Sequence, residues 1–229
     1  MKKGKLIVLD GADGSGKATQ AKLLVSRLKK EGYKVKALDF PQYEANFFGK
    51  LVGECLAGKY GDFIAIDPHI ASVLYAADRF ESKVTLEKWL KAGYVVVLDR
   101  YVSANQIHQG GKITDAKKRK AFLEWLDTLE FEVYGIPRPD LVCYLDVPRM
   151  ISDRLLTQGR QGVSTNRSLR GRKDLAEKNK AHLDAAREGA LKIIKQGNTW
   201  ERIGCAPKGE LLSREEIAEQ IWSKVKNIL

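Results

Sequence analysis

The sequence predicts an α/β protein with a doubly wound, five-stranded parallel sheet and helices on both of its faces. Short apolar runs alternate along the chain with longer segments of helical periodicity, which is typical of βαβ units. Two runs, Val95–Leu98 and Leu141–Leu145, are almost continuously apolar, as expected of strands covered on both faces. With 229 residues, the chain is long enough for one large domain, so we expect a single domain over 1–229.

The predicted elements follow from the positions of these runs and of the helical patterns between them. The strands are expected at 4–9, 34–39, 94–98, 140–145 and 199–203. The helices are expected at 17–31, 44–57, 68–91, 115–134, 148–158, 173–196 and 213–228. In such a sheet, ligands bind beyond the carboxyl ends of the strands, so residues that follow strands are the first functional candidates.

The first strand leads into a glycine-rich loop that continues into a helical pattern. This strand–loop–helix context is the one a phosphate-binding loop requires. Glycines let successive N–H groups point at one anion, and the following helix adds its positive N-terminal end. We expect nine residues to bind the phosphates of a nucleoside triphosphate, which the family resemblance described below implies is ATP: Gly11, Ala12, Asp13, Gly14, Ser15, Gly16, Lys17, Ala18 and Thr19. Ala18 stands where a hydroxyl usually contacts magnesium, and Thr19 follows it. The loop therefore predicts a P-loop NTPase-type fold.

Aromatic and cationic residues follow the second strand and occupy the long predicted helix. Phe40–Tyr43 supplies two rings and a proline whose peptide bond could be cis. Tyr75 lies four residues before Arg79, so both can face one side of helix 68–91. A ring one turn from a guanidinium suits a nucleobase and its phosphate, although a helical tyrosine is more often part of a core.

The third strand ends at Asp99, Arg100 and Tyr101. An aspartate here can complete a magnesium shell from the side opposite the phosphate loop. Water-activating P-loop ATPases commonly carry a glutamate next, whereas this chain carries Arg100. A cation at this position favours transfer to an anionic acceptor over hydrolysis, with a structural Asp–Arg pair as the alternative.

Positive charge is concentrated in one segment of the chain. The net charge is +11, and residues 154–195 contain eleven Lys or Arg against four Asp or Glu. The segment contains glycines and lacks the interleaved aromatic residues of a single-strand-binding surface. We interpret residues 158–173 as an arginine-rich lid that clamps phosphates, and we expect no nucleic-acid partner.

Cysteine usage and hydropathy indicate a cytoplasmic protein. Cys55, Cys143 and Cys205 are far apart and lack CxxC spacing, which favours reduced thiols over disulfides or a zinc site. No run reaches the ~18 apolar residues of a membrane span, and Met1–Lys3 leads into a strand, so we expect neither a signal peptide nor a membrane partner.

Taken together, these motifs resemble those of the thymidylate kinase family. The matching segments are GADGSGKATQ (11–20), FPQYE (40–44), LYAADRFE (74–81), DRYVSANQIHQ (99–109), PRPDLVCYLDVP (137–148) and RGRKDLAEKN (170–179). They occur in the family's order and span nearly the whole chain. The glycine loop alone marks only a large superfamily, whereas the DRY segment combined with DRFE is far more specific.

The resemblance implies transfer of the γ-phosphoryl group of ATP, with Mg²⁺, to dTMP in dTTP biosynthesis. It implies catalytic roles for Lys17, Arg100 and the lid residues Arg160, Arg167, Arg170 and Arg172. The implied dTMP contacts are Asp13, Phe40, Pro41, Tyr43, Tyr75, Arg79, Arg100, Asn105, His108 and Gln109. Among these, Arg79 and Arg100 would hold the phosphate, and Asn105 would bind the base edge. Asp13, Asp99 and Glu177 are the implied magnesium ligands. The family also implies a homodimer, for which helices 68–91 and 115–134 are candidates.

Departures from the family pattern keep other functions open. Gln42 stands where an arginine often binds the acceptor phosphate, and His108 where many members have a tyrosine near the sugar. A kinase for dUMP or UMP is one alternative. A deoxynucleoside kinase is another, with Asp13 or Glu44 as the base that a hydroxyl acceptor needs. The pI of about 9.5 is also compatible with a nucleic-acid-stimulated ATPase. The departures at Ala18 and Gln42 are compatible with an inactive homologue.

Overall fold

The sheet is five-stranded and entirely parallel. A computed structural model describes residues 3–159, 180–195, 199–207 and 209–229. The strands are β1 (Lys5–Gly11), β2 (Val35–Asp39), β3 (Val95–Asp99), β4 (Leu141–Asp146) and β5 (Trp200–Gly204), in the order β2-β3-β1-β4-β5. The predicted sheet is confirmed, and every predicted strand lies within two residues of the observed one at each end.

Helices connect the strands. They are α1 (Lys17–Lys30), α2 (Phe47–Leu56), α3 (Pro68–Glu81), α4 (Lys83–Lys91), α5 (Val102–His108), α6 (Ala116–Asp127), α7 (Arg149–Gly159), α8 (Lys180–Ile194) and α9 (Arg214–Val225). A 3₁₀ turn at Gly110–Lys112 follows α5, and a π-helical turn at Thr128–Val133 follows α6. The first seven residues of predicted helix 173–196 lie outside the described part of the chain.

Two helices that were predicted as continuous are interrupted in the structure, so those two predictions were wrong. Helix 68–91 is divided at Ser82, where the Ser82 N–H bonds to the Arg79 carbonyl, three residues back, at 3.0 Å. Helix 115–134 ends at Asp127 and widens into the π turn, where the Tyr134 N–H reaches the Leu129 carbonyl, five residues back, at 2.9 Å. No proline or glycine stands at either change, and the apolar periodicity continues across both. The sequence therefore gives no sign that either helix is interrupted.

Side chains of the central strand β1 alternate between two hydrophobic cores. Ile7 and Leu9 pack with residues of α1 and α9 on one face of the sheet. Leu6 and Val8 pack with residues of α4 and α6 on the other face, and all four are fully buried. This alternation confirms helices on both faces. It also places the end of β1, where the glycine loop begins, at the centre of a sheet that is covered on both sides.

The three cysteines are buried and form no disulfide. Burial raises the pKa of the Cys143 thiol to about 12, and that of Cys205 to about 12. Both are therefore poor nucleophiles near neutral pH. Over the described ranges, no helix has the length and apolar character needed to span a membrane.

Candidate active site

The glycine loop lies between β1 and α1, as the sequence predicts. Gly11, Gly14 and Gly16 all have positive φ, at 152°, 78° and 87°. Gly16 is the left-handed residue that begins α1, and no side chain caps the helix there. Loop N–H groups and the positive end of α1 therefore meet at one place, which is the arrangement that binds phosphate.

Lys17 folds back over this loop. Its Nζ donates hydrogen bonds to the carbonyls of Gly11 at 2.9 Å and Ala12 at 2.8 Å, and it lies 3.7 Å from Asp13 Oδ1. The side chain is largely buried, and burial together with the positive charge of Arg100 lowers the pKa of Lys17. The ammonium group is thus held at the mouth of the loop, where the terminal phosphates of a nucleotide would lie.

Two loop glycines give a matched test of the local backbone. A Cβ on Gly14 would lie 2.5 Å from the Ser152 carbonyl oxygen and 2.7 Å from Leu156 Cγ, whereas one on Gly16 would meet no atom within 4 Å. A left-handed backbone conformation at an alanine lowers the free energy of unfolding by about 1 kcal/mol, and overpacking lowers it by about 2 kcal/mol more. We therefore expect urea unfolding to show a free energy of unfolding that is lower by about 3 kcal/mol for Gly14→Ala and by about 1 kcal/mol for Gly16→Ala. Equal losses would contradict the close contact with α7.

Asp13 pairs with Arg100 at the edge of the loop. The Arg100 guanidinium donates to Asp13 Oδ1, and both side chains are partly buried. Burial by itself would raise the pKa of Asp13, but the charges of Arg100 and Lys17 outweigh it and hold this pKa well below its usual range. Such a carboxylate is a weak proton acceptor near neutral pH, which counts against Asp13 as the base of a nucleoside kinase.

Arg100 itself has a strained backbone. Its φ is 68°, and within the described ranges it is the one non-glycine residue with a positive φ. Its N–H donates to the Leu9 carbonyl at 2.9 Å, which ties the end of β3 to β1. Strained backbone of this kind persists where the surrounding structure enforces it, and it is concentrated at functional sites.

Asp10 is a site residue that the sequence analysis missed. It is fully buried, accepts hydrogen bonds from the Gly11 N–H at 2.7 Å and from the Ser103 hydroxyl, and so joins the glycine loop to α5. Burial raises the pKa of Asp10 despite the neighbouring cations. An acidic residue inside an otherwise apolar strand is the signal that could have identified it.

Beside the loop lies a cleft that contains every residue predicted to bind dTMP. These are Asp13, Phe40, Pro41, Tyr43, Tyr75, Arg79, Arg100, Asn105, His108 and Gln109. The sequence analysis did not select Leu56, Ile64, Tyr101 and Ala104, which line the same cleft. Asp13 and Arg100 border both the loop and the cleft, so an anion in the loop and a ligand in the cleft would meet at this pair.

A buried ion pair lies in the wall of the cleft. Arg79 Nε donates to Glu130 Oε2 at 2.9 Å, and its Nη2 donates to Oε1. Glu130 is fully buried in the π turn, and Arg79 is 2% exposed. Asn105 Nδ2 also approaches this carboxylate, 3.4 Å from Oε1, and donates to the Ser72 carbonyl at 3.2 Å. Nothing in the sequence distinguished Glu130 from the exposed acidic residues around it.

The aromatic residues of the cleft also belong to the hydrophobic packing. Tyr75 packs on Phe63, with ring centroids 5.8 Å apart, so the core interpretation of this tyrosine holds alongside its place in the cleft. Phe40 packs on Tyr101 at the same separation of 5.8 Å. The Phe40–Pro41 peptide bond is cis, as the sequence analysis considered.

Gln42 faces its own strand. Its side-chain amide donates to the Asp39 carbonyl, while its backbone N–H reaches the Asp78 carboxylate at 3.2 Å. Asp78 therefore ties the loop after β2 to α3. Burial raises the pKa of Asp39, and the negative charge of Asp99, its partner in the strand register, raises it further.

The carboxylates near the glycine loop suit Mg²⁺, which needs few protein ligands, better than they suit a metal ion that is bound only by protein side chains. Across the described ranges, no group of three or more His, Cys, Asp or Glu side chains is placed to hold a metal ion. Magnesium typically takes one or two carboxylates and completes its shell with phosphate oxygens and water. Asp13 within the loop, and Asp99 at the end of β3 next to β1, offer carboxylates of this kind. Arg160, Arg167, Arg170, Arg172 and Glu177 lie outside the described residues.

Comparisons with known proteins identify the family to which this chain is similar. The profile of the thymidylate kinase family matches residues 9–215. Thymidylate kinase from Mycobacterium tuberculosis (strain CDC 1551 / Oshkosh) is 32% identical over 135 residues, which cover 59% of this chain and 62% of that protein. A probable thymidylate kinase from Thermococcus onnurineus (strain NA1) is 40% identical over 148 residues, covering 62% and 66%. The aligned part thus spans less than two thirds of both relatives.

A solved structure extends the similarity of fold over nearly the whole chain. The structure of thymidylate kinase from Candida albicans superposes with a TM-score of 0.75. It covers 98% of this chain and 92% of that protein, at 22% sequence identity. At this identity the superposition shows a shared fold.

Proposed function

Because this chain belongs to the thymidylate kinase family, we propose that it transfers the γ-phosphoryl group of ATP to dTMP, giving dTDP. The observation that carries the proposal is the single cleft lined by all ten predicted dTMP contacts, which meets the glycine loop at Asp13 and Arg100. In this proposal, residues 11–19 bind the ATP phosphates, and residues 1–229 act as one kinase domain.

The reaction needs charge neutralisation more than proton transfer. A phosphate monoester is largely dianionic near neutral pH, so its oxygen is already a nucleophile. Catalysis then consists of aligning two anions that repel each other and balancing charge as the phosphoryl group moves. Lys17 serves the donor phosphates, and Arg100 serves the acceptor phosphate. The strongly lowered pKa of Asp13 is compatible with this, because no general base is required.

The sequence analysis expected both Arg79 and Arg100 to hold the dTMP phosphate, whereas the contacts of the two side chains favour separate roles. Glu130 already neutralises Arg79, which therefore supplies hydrogen-bond donors with little net charge. Arg79 also shares Glu130 with Asn105, the residue predicted to bind the base edge. Arg100 is also paired with a carboxylate, but Asp13 is shared between Arg100 and Lys17, so this group keeps a net positive charge. We accordingly place Arg79 at the base end of the cleft and leave Arg100 as the principal acceptor-phosphate cation.

Magnesium would be held by Asp99 and Asp13, with Glu177 as a third candidate outside the described residues. When bound, the ion neutralises charge on the phosphates. The exposed Ala18 offers no hydroxyl to it. The glycine loop also lacks an arginine, so we assign the transition-state guanidinium to the lid, to one of Arg160, Arg167, Arg170 and Arg172.

The proposal is tested by measuring ADP release with Mg-ATP and each of dTMP, dUMP, UMP, CMP, thymidine and no acceptor. We expect strong turnover with dTMP and little with thymidine, because a nucleoside offers Arg100 no phosphate. Preferred turnover of thymidine would instead support a nucleoside kinase. ADP release without any acceptor would support an ATPase, and a stimulating oligonucleotide would then identify the nucleic-acid-linked class.

We further propose a cytoplasmic homodimer. Exposed apolar side chains on the two candidate helical regions support the dimer: Phe80 is 47% exposed, Val84 75% and Val133 68%. Three free, buried cysteines fit a reducing compartment. Light scattering on the purified protein measures the oligomeric state directly, and a monomeric mass at micromolar concentration would exclude a stable dimer.

A further inference from the structure

Glu130 holds two side chains of the base end of the cleft at once. Its carboxylate accepts two hydrogen bonds from Arg79 of α3, and its Oε1 also lies 3.4 Å from Asn105 Nδ2 of α5. Three elements that are distant in sequence therefore converge on one fully buried carboxylate. An ion pair between two side chains this deeply buried is difficult to form without such convergence, because both charges lose their water.

The surroundings of Asn105 determine which way its amide faces. Its two neighbours, the Ser72 carbonyl and the Glu130 carboxylate, can only accept hydrogen bonds. The amide nitrogen must therefore face them. The amide oxygen, Oδ1, therefore faces away from both of these acceptors, and Asn105 lines the cleft. Asn105 consequently offers its Oδ1 as a hydrogen-bond acceptor to a ligand, and a ligand that pairs with it must carry an N–H group at that position.

The same carboxylate determines what Arg79 can offer. Glu130 occupies Nε and Nη2, which leaves Nη1 as the donor group that this carboxylate does not engage. Since a guanidinium only donates, Arg79 presents N–H groups to the cleft. The base end of the cleft thus combines a donor from Arg79 with an acceptor from Asn105.

We propose that Glu130 is a positioning residue that fixes this donor–acceptor polarity and thereby selects pyrimidines with a carbonyl at C4 over those with an amino group. Thymine and uracil present a C4 carbonyl and an N3–H, which match the pair. Cytosine presents an amino group and a bare N3, which oppose it at both positions. A site with buried polar groups rejects such a ligand strongly, because the groups are left unpaired. The inference rests on the proposed function.

Replacing Glu130 by glutamine tests the polarity directly. The amide has the same shape, but one of its two ends must present N–H groups to Arg79 or Asn105, both of which are donors here. We expect kcat/KM for dTMP to fall about tenfold or more, with the KM for ATP unchanged. We expect the preference for dTMP over dCMP to fall at least about tenfold, because the amide nitrogen of Asn105 is then held by the Ser72 carbonyl alone and no longer by the carboxylate. Glu132→Gln, in the same turn but exposed, is the matched control and should match the wild type.

The comparison of the two acceptors separates selection from stability. If Glu130→Gln lowers kcat/KM for dTMP and dCMP by the same factor, Glu130 only supports the fold, and the inference is wrong. Should the glutamine variant fail to fold, Glu130→Asp keeps the charge that Arg79 needs and should show an intermediate preference. Unchanged preference in that folded variant would also overturn the inference. Absence of turnover by the wild type with every acceptor would refute the proposed function instead, and this inference with it.

Discussion

Lys17→Met is expected to lower turnover about 10³-fold while the affinity for dTMP stays nearly unchanged. The Lys17 ammonium lies at the mouth of the glycine loop, 2.8 Å from the Ala12 carbonyl oxygen, where only the donor phosphates would reach it. Removing a fixed cation from the place where charge develops affects the transition state more than acceptor binding. Steady-state kinetics with dTMP varied at saturating ATP would measure both quantities.

Lys22→Met is the matched control for this change, since Lys22 is an exposed lysine of the same helix. It should retain the turnover of the wild type. Lys17 also holds loop carbonyls, so thermal unfolding of both variants is needed alongside the kinetics. A folded Lys17→Met variant with turnover within tenfold of the wild type would show that the glycine loop does not serve the reaction as proposed.

Arg100→Ala is expected to reduce kcat/KM for dTMP by about 10²- to 10³-fold. It removes the guanidinium at the junction of loop and cleft and leaves Lys17, 3.7 Å away, as the remaining cation beside the Asp13 carboxylate. The pKa of Asp13 should then rise toward its usual range, since the opposing effect of burial remains. Arg138→Ala is the control, because Arg138 pairs with Asp127 and lies over the Phe131 ring outside the cleft.

Arg100→Gly separates the side chain from the backbone. The φ of 68° at this residue is strained for alanine but not for glycine, a difference of about 1 kcal/mol. We therefore expect the glycine variant to be the more stable of the two in urea unfolding and to lose as much activity as the alanine variant. Greater activity in the glycine variant would show that backbone geometry, and not the guanidinium, is what the reaction needs.

Much of the fold was predictable because the signals are local. The strands β1 and β3 contain the continuous apolar runs Leu6–Leu9 and Val95–Leu98, and the glycine loop occupies consecutive residues between a strand and a helix. The break at Ser82 and the π turn after α6 were not predictable, because the apolar periodicity continues through both. Packing against neighbouring elements decided these backbone changes.

The sequence by itself determined the five strands, most of the helices between them, the phosphate loop and ten of the fourteen residues that line the cleft, although it did not indicate α5. The strands and the loop follow from spacing along the chain and from a motif that places chemistry just after a strand, whereas the ten cleft residues follow from the resemblance to the family. Only the tertiary structure decided that Glu130 pairs with Arg79 and orients Asn105, and that Asp10 joins the loop to Ser103. The partners in these pairs are separated by 25 to 93 residues. Glu130 is recognisable as part of the site only once folding has removed its water and brought its donors to it, whereas Asp10 also has a sequence signal, an acidic residue within an apolar strand.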